Sequence, residues 1–286
     1  MAERTITRIL EGMETMDGAG VRLVRFFGSR EVRLLDPFLL LDLFGSNDPD
    51  DYLPGFPMHP HRGIETVTYM LSGTVRHGDS SGNSGYIGPG DVQWMTAGSG
   101  IVHEEMPQPS PLGLRGFQLW VNLSATDKMR ESAYRGYSAQ NIPVESIPGG
   151  EVRVIAGSFG SSRGPVRGLP GDPRLYDLHL GDSGSAEIEV PSGWTAFACV
   201  YEGELGRPSA PLEAGSVRVP YCALFGDGEK IRIKAAGDGA SLILAAGAPL
   251  GESIAWRGPI VMNTEAELDL AFEEYAAGTF ERARTR

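Results

Sequence analysis

Short runs rich in Val, Ile, Leu, Thr and aromatic residues recur along the chain, and glycine or proline interrupts them every several residues. That rhythm predicts many short antiparallel strands and almost no long helices. Strands are expected at 65–70, 92–96, 116–123, 196–201, 216–219 and 230–234. The stretch 116–123 shows a period of two: Phe117, Leu119, Val121 and Leu123 share one face, and Gln118, Trp120 and Asn122 the other. Such a strand has two different environments. One helix is expected at the C-terminal end, where Thr264 can cap and Glu267 follows three residues on, the capping-box spacing. Leu268, Ala271, Phe272 and Tyr275 then form one apolar stripe, and Gly278 is a natural stop.

The stretch 132–173 reads as loop-rich, with glycine- and proline-bearing segments around one strand at 152–156. The crossover between two domains is expected there. After it, WTAFACVYEGEL at 194–205 repeats the strand, glycine, strand order of ETVTYMLSGTV at 65–75. Likewise LEAGSV at 212–217 echoes the glycine turn of IGPGDV at 87–92. The reading is an internal duplication, with one all-β domain at 1–140 and a second at 141–286.

Composition narrows the function classes. Of 286 residues, 41% are hydrophobic and 22% charged, enough for a sizeable core and ordinary for a folded domain. The 37 acidic against 25 basic residues leave a formal charge of −12 without a dense basic block, which disfavours direct nucleic-acid binding. No signal-peptide pattern and no membrane-length apolar run occurs, so a cytoplasmic protein with no membrane association is expected. Cys199 and Cys222 are too few for a disulfide scaffold and are expected as small buried hydrophobes.

The candidate chemistry lies in the histidines. His59 and His61 are two apart in GFPMHPHRGIETVTY, and on an extended chain that spacing turns both imidazoles to one face. Further along, GDVQWMTAGSGIVHEEMP offers His103 and Glu105 at the same spacing. Two strands that each present a same-face pair can meet as neighbours and supply three histidines and one carboxylate to one ion. A lone HxH arises by chance, but the chain holds only 5 histidines, and three of them fall in two phase-matched pairs. His77 and His179 have no such partner. His77 is expected to be exposed or behind the ligands, His179 to be structural, and Arg62, Gln118 and Trp120 to be exposed or packing residues.

HPHRGIETVTY followed by GDVQWMTAGSGIVHEEMP resembles the paired metal motifs of the pirin family, within the cupin superfamily. The resemblance extends to DPFLLLD at 36–42, to GFQLWVNL and to GPIVMN before the helix, and so covers nearly the whole chain. It implies an all-β fold of two tandem cupin (jelly-roll) β-barrels with a short C-terminal helix. It also implies one divalent metal ion in the N-terminal barrel, held by His59, His61, His103 and Glu105. Fe(II) is the expected ion, and Ni, Mn, Cu and Zn suit the same donors. The wider cupin pattern would place a carboxylate ligand at Glu65. That position is in phase with His61 only if the strand runs unbroken through Gly63, so Glu65 is expected in a supporting role. In the second half, Glu189, Pro191, Gly228 and Lys230 occupy the positions equivalent to the ligands, and a metal-free barrel is expected there.

The same resemblance implies a quercetin 2,3-dioxygenase-type reaction on a flavonol or a smaller catechol or enediol with O2. Glu105 would then be both ligand and catalytic proton acceptor. The alternative is a non-enzymatic iron-dependent redox sensor or transcriptional cofactor acting through a regulatory protein partner. A metal-stabilised structural barrel is a third class. A large apolar cavity beside the metal ligands would favour the enzyme.

Overall fold

The computed structural model describes residues 1–80, 82–169, 171–206 and 219–281. Strands dominate, and the α-helix among the described residues is Glu265–Ala276. Among the described residues no helix is long and apolar enough to cross a membrane. The chain divides into two compact units, residues 14–139 with 250–286, and residues 1–13 with 140–249.

The two units are therefore not the halves of a single cut between 140 and 141. The opening strand Ile6–Leu10 pairs with Tyr221–Phe225. Arg4, almost fully buried, donates to the carbonyls of Pro191, Trp194, Gly226 and Gly228, which fixes the first residues in the unit of 140–249. The closing segment belongs to the other unit, where Leu268 and Ala271 of the helix pack with Ile260, Met262 and Phe280. The capping box forms as its sequence predicts: Thr264 Oγ1 accepts from Glu267 N, and the Glu267 carboxylate accepts from Thr264 N. Gly278, with φ of 72°, lies just past the helix end. Tyr275, at the end of the expected stripe, stays exposed and touches Phe280 edge-on.

The unit of 14–139 and 250–286 carries two large sheets and a two-stranded one formed by Ala255–Arg257 and Ile260–Met262. The larger runs Ala133–Tyr137, Val92–Thr96, Ile64–Ser72, Leu114–Asn122, Phe38–Ser46, Val21–Phe27 and Met13–Asp17 in spatial order. The smaller runs Phe56–His61, Ile101–Pro107, Val75–Asp79 and Ser84–Ile87. Leu23, Phe44, Met70 and Leu114 from the first sheet and Val75 and Ile87 from the second form one apolar cluster. The alternation in Leu114–Asn122 holds: Phe117, Leu119 and Val121 are buried on one face, and Gln118 and Trp120 line a cavity on the other.

The second unit is built on a nine-stranded sheet with the 18-residue strand Lys230–Gly247 near its centre. Val152, Val154, Tyr176, Leu178, Leu242 and Leu244 alternate into its core. Cys199 and Cys222 sit opposite each other on neighbouring strands as buried cysteines not joined in a disulfide. The stretch 132–173 is less loop-like than its sequence predicts, because Ala133–Tyr137, paired with Val92–Thr96 in the first unit, and Val144–Ile147, paired with Gly150–Ala156 in the second, are strands. Both added strands are short, lie at sheet edges and carry little hydrophobic alternation. The strand expected at 216–219, save for Val219, and the glycine turn at 212–217 lie outside the described residues.

Candidate metal centre

Three imidazoles converge in the smaller sheet of the first unit. His103 pairs directly with His59 across the antiparallel ladder between Ile101–Pro107 and Phe56–His61, and His61 follows two residues along the same face. Ring centroids are 4.4 Å apart for His59 and His103, 4.8 Å for His59 and His61, and 5.1 Å for His61 and His103. One ligand nitrogen from each lies within 4.8 Å of the others.

Hydrogen bonds fix which nitrogen each ring offers. His59 Nδ1 lies 2.8 Å from the Pro57 carbonyl and His61 Nδ1 lies 3.1 Å from the Pro259 carbonyl. Carbonyls only accept, so both Nδ1 atoms carry the proton and both Nε2 atoms keep a lone pair. His103 Nδ1 is held at 2.6 Å by the Tyr134 hydroxyl, leaving its Nε2 buried without a hydrogen-bond partner. The His59 and His61 Nε2 atoms approach to 3.0 Å. That is the separation of two ligands meeting one ion at a right angle with metal–nitrogen bonds of about 2.1 Å. Burial, followed by the neighbouring His59, pushes the His61 imidazole down to about 3. The same causes, with His61 ahead of His59, hold His103 well below its ordinary value. Neutral rings with converging lone pairs are the form a metal ion takes.

Glu105 stands outside that cluster. The ladder shifts register between His103 and Glu105, bringing Glu105 opposite Phe56. Pro57, which has no N–H to give to a ladder, lies at the irregularity. The Glu105 carboxylate is 2.8 Å from Thr68 Oγ1 and 3.3 Å from Gln118 Nε2, while Thr68 Oγ1 is also 2.6 Å from Gln118 Oε1. Burial raises its pKa, opposed by His59 and by these hydrogen bonds.

Glu65 is not near the imidazoles' meeting point. Its two oxygens accept from Trp94 Nε1 and Thr96 Oγ1, each at 2.8 Å. The cause is Gly63, whose φ of 77° breaks the extended chain between His61 and Glu65 and so cancels their common phase. Only glycine fits there, since an added Cβ would lie 1.9 Å from the Val261 carbonyl oxygen. His77 stacks on Tyr134 with ring centroids 5.3 Å apart, behind His103. His179 belongs to the other unit, where it bonds Asp177 at 2.9 Å and faces Ser241.

Three residues expected to be exposed or packing, Arg62, Gln118 and Trp120, lie at or beside the imidazoles. Gln118 bonds Glu105, Trp120 meets the His61 ring edge-on at 5.0 Å, and Arg62 anchors the chain after His61. The Arg62 guanidinium, with its side chain 2% exposed, reaches Glu274 at 2.6 Å and the Phe280 carbonyl at 2.7 Å. Tyr134 and Pro259 were not singled out, yet they orient His103 and His61. Lys128 reinforces the closing segment by donating to the carbonyls of Gly63 and Val261 and to Asn122 Oδ1. Pro259 thus holds His61 through its carbonyl, and Glu274, the Phe280 carbonyl and Val261 N hold the Arg62 that follows it.

A cavity of about 1070 Å³ opens onto His59, His61 and Glu105. Leu23, Leu40, Phe44, Phe56, Trp120 and Trp256 supply its apolar walls. Its floor carries a polar row, since Thr68, Gln118, Asp42 and Arg25 are register partners across successive strands.

An all-β chain of two units, with histidines converging inside one of them, has the features of the metal-binding two-domain cupins. The sequence profile of the pirin family matches residues 20–121, and that of the pirin C-terminal cupin domain matches residues 175–281. A pirin-like protein of Caulobacter vibrioides is 44% identical over 282 residues, spanning 98% of this chain and 100% of the relative. Human pirin is 37% identical over 291 residues, spanning 99% and 97%. The crystal structure of a quercetin 2,3-dioxygenase from Acinetobacter baumannii superposes with a TM-score of 0.85 at 32% identity, covering 98% of this chain and 99% of that one. The chain belongs to the pirin family.

Proposed function

We propose that this protein is a metal-dependent dioxygenase acting on flavonols or related enediol and catechol compounds, with Fe(II) held by His59, His61, His103 and Glu105. The cavity carries this reading. Its volume of about 1070 Å³ suits a three-ring aromatic, and its aromatic walls end at the candidate ligands. A sensor needs the same donors but has no use for an open apolar chamber beside them. The likeness to a solved quercetin 2,3-dioxygenase supports the same choice.

When bound, the ion supplies Lewis acidity toward the enediol oxygens and electron exchange with O2. The remaining work falls to the chain. Phe56, Trp120 and Trp256 bracket a flat ring system and exclude water from the reacting end. Glu105 takes the enol proton on its carboxylate, and burial, which raises its proton affinity, suits it to that role. Thr68 and Gln118 keep the carboxylate aimed while the proton is transferred. Pro259 holds the proton on Nδ1 of His61 and so leaves its Nε2 unprotonated, while the Tyr134 hydroxyl fixes the ring of His103 with Nε2 toward the other two imidazoles.

Oxygen uptake by iron-, nickel- and manganese-loaded protein given quercetin tests the proposal, with His61→Ala as control. Uptake that needs both the metal and His61 is the expected result. No uptake with any of the three metals, despite confirmed loading and quercetin binding, would remove the quercetinase reading.

A further inference from the structure

The charges in the cavity wall are not evenly compensated. Asp17, Arg25, Arg30, Arg33, Asp42 and Glu105 are its ionisable residues besides the histidines. Arg25 is fully engaged: it grips Asp42 through two contacts of 2.8 and 2.7 Å and holds Asp17 at 2.7 Å. Glu105 lies at the reacting end beside the imidazoles. Arg30 and Arg33 remain, both exposed, on the turn that follows strand Val21–Phe27. Neither forms an ion pair among the described residues, and the one recorded bond of Arg33 is a 3.5 Å contact with the Ile254 carbonyl.

Two uncompensated cations at the rim of a cavity are notable in a chain of net charge −12. The overall field of such a protein repels anions, so an anionic ligand needs a local positive rim to enter. Guanidinium groups bind carboxylate and sulfate oxygens through paired N–H donors. The same cavity is lined by His59, His61 and Glu105, where the proposed reaction takes place.

We propose that Arg30 and Arg33 form an anion-recognising mouth, so that the substrate is an aromatic enediol bearing a carboxylate or sulfate on the part that lies against these two guanidinium groups. This rests on the reading of the cavity as a flavonol-type site. The aromatic body occupies the space between Phe56, Trp120 and Trp256, the enediol meets the metal ligands, and the anionic group stays at the rim, partly in water.

Binding, rather than turnover, provides the test. Zinc-loaded protein, in which the ion cannot change oxidation state, is titrated with a neutral flavonol and with the same flavonol carrying a carboxylate or a sulfate on its outer ring. Quenching of Trp120 and Trp256 fluorescence reports occupancy. The charged ligands are expected to bind about tenfold more tightly at low salt. That preference should vanish in the Arg30→Gln/Arg33→Gln double variant and shrink as salt rises. Equal affinities in the parent protein, or a preference that survives in the double variant, overturn the anion assignment and leave the flavonol site standing. Binding of neither ligand to metal-loaded protein overturns both.

Discussion

His59 and His61 bring their Nε2 atoms to 3.0 Å of each other while each directs Nδ1 at a proline carbonyl, that of Pro57 or Pro259. Two lone pairs at that distance repel one another unless a cation lies between them. The pair is therefore shaped to share an ion, and the unpartnered Nε2 of His103 is placed to serve as a third donor.

Loss of one member should dismantle the set. His61→Ala is expected to weaken metal binding by more than about 100-fold, beyond the usual effect of removing an outer hydrogen-bond partner. His179→Ala, in the other unit, should leave it unchanged. Metal content after dialysis against a chelator decides, and equal retention by the two variants would contradict the assignment.

Tyr134→Phe removes the hydroxyl that orients His103 while keeping the ring that stacks on His77. Metal affinity should fall by roughly tenfold, measured by competition with a chromogenic chelator. An unchanged affinity would mean that packing alone fixes His103.

The convergence of His59, His61 and His103 was legible because metal binding restricts residue identity and because His59 and His61 obey the period of two, whereas Glu105, in phase with His103 by counting, stands outside that cluster across a shift in register. Their supports were hidden for different reasons. Pro259 contributes a backbone carbonyl, which no side chain announces, and it comes from far along the chain. Tyr134 lies in a short edge strand whose polar sequence resembles a loop. Gln118 and Trp120 were placed on the correct face of their strand, but periodicity cannot tell a cavity from solvent. Glu65 shows the converse, since one glycine with positive φ overturns a phase that counting residues would accept. The assignment of residues 1–13 and 250–286 depended on long-range pairing that local pattern does not encode.

The closing segment should matter to stability as much as to the site. Arg62→Ala leaves Glu274 without its 2.6 Å partner and the Phe280 carbonyl without its donor. A loss of about 3–5 kcal/mol is expected, read from urea unfolding. Arg257→Ala, which breaks exposed pairs with Glu265 and Asp269 and a 5.4 Å cation–π contact with Phe272, should move the midpoint far less. Similar shifts in both variants would argue against a buried clamp.

Metal-free protein should lose stability on acidification. The His61 imidazole falls to about 3 in the folded state, so between its ordinary value of 6.5 and about 3 the unfolded chain binds more protons. Stability contributed by the neutral ring is thus complete above 6.5 and declines as pH drops through that window, by an amount on the order of a few kcal/mol. His103 acts in the same direction. The slope of unfolding free energy between pH 6.5 and 4 should be shallower in His61→Gln, and identical slopes would refute this origin.

The most direct test of the metal centre is anomalous diffraction at the iron edge from crystals grown with Fe(II) under anaerobic conditions. A single strong peak bounded by Nε2 of His59, His61 and His103 and by the Glu105 carboxylate is the predicted result. A peak elsewhere, or iron held by the histidines with Glu105 still confined to Thr68 and Gln118, would contradict the four-ligand site.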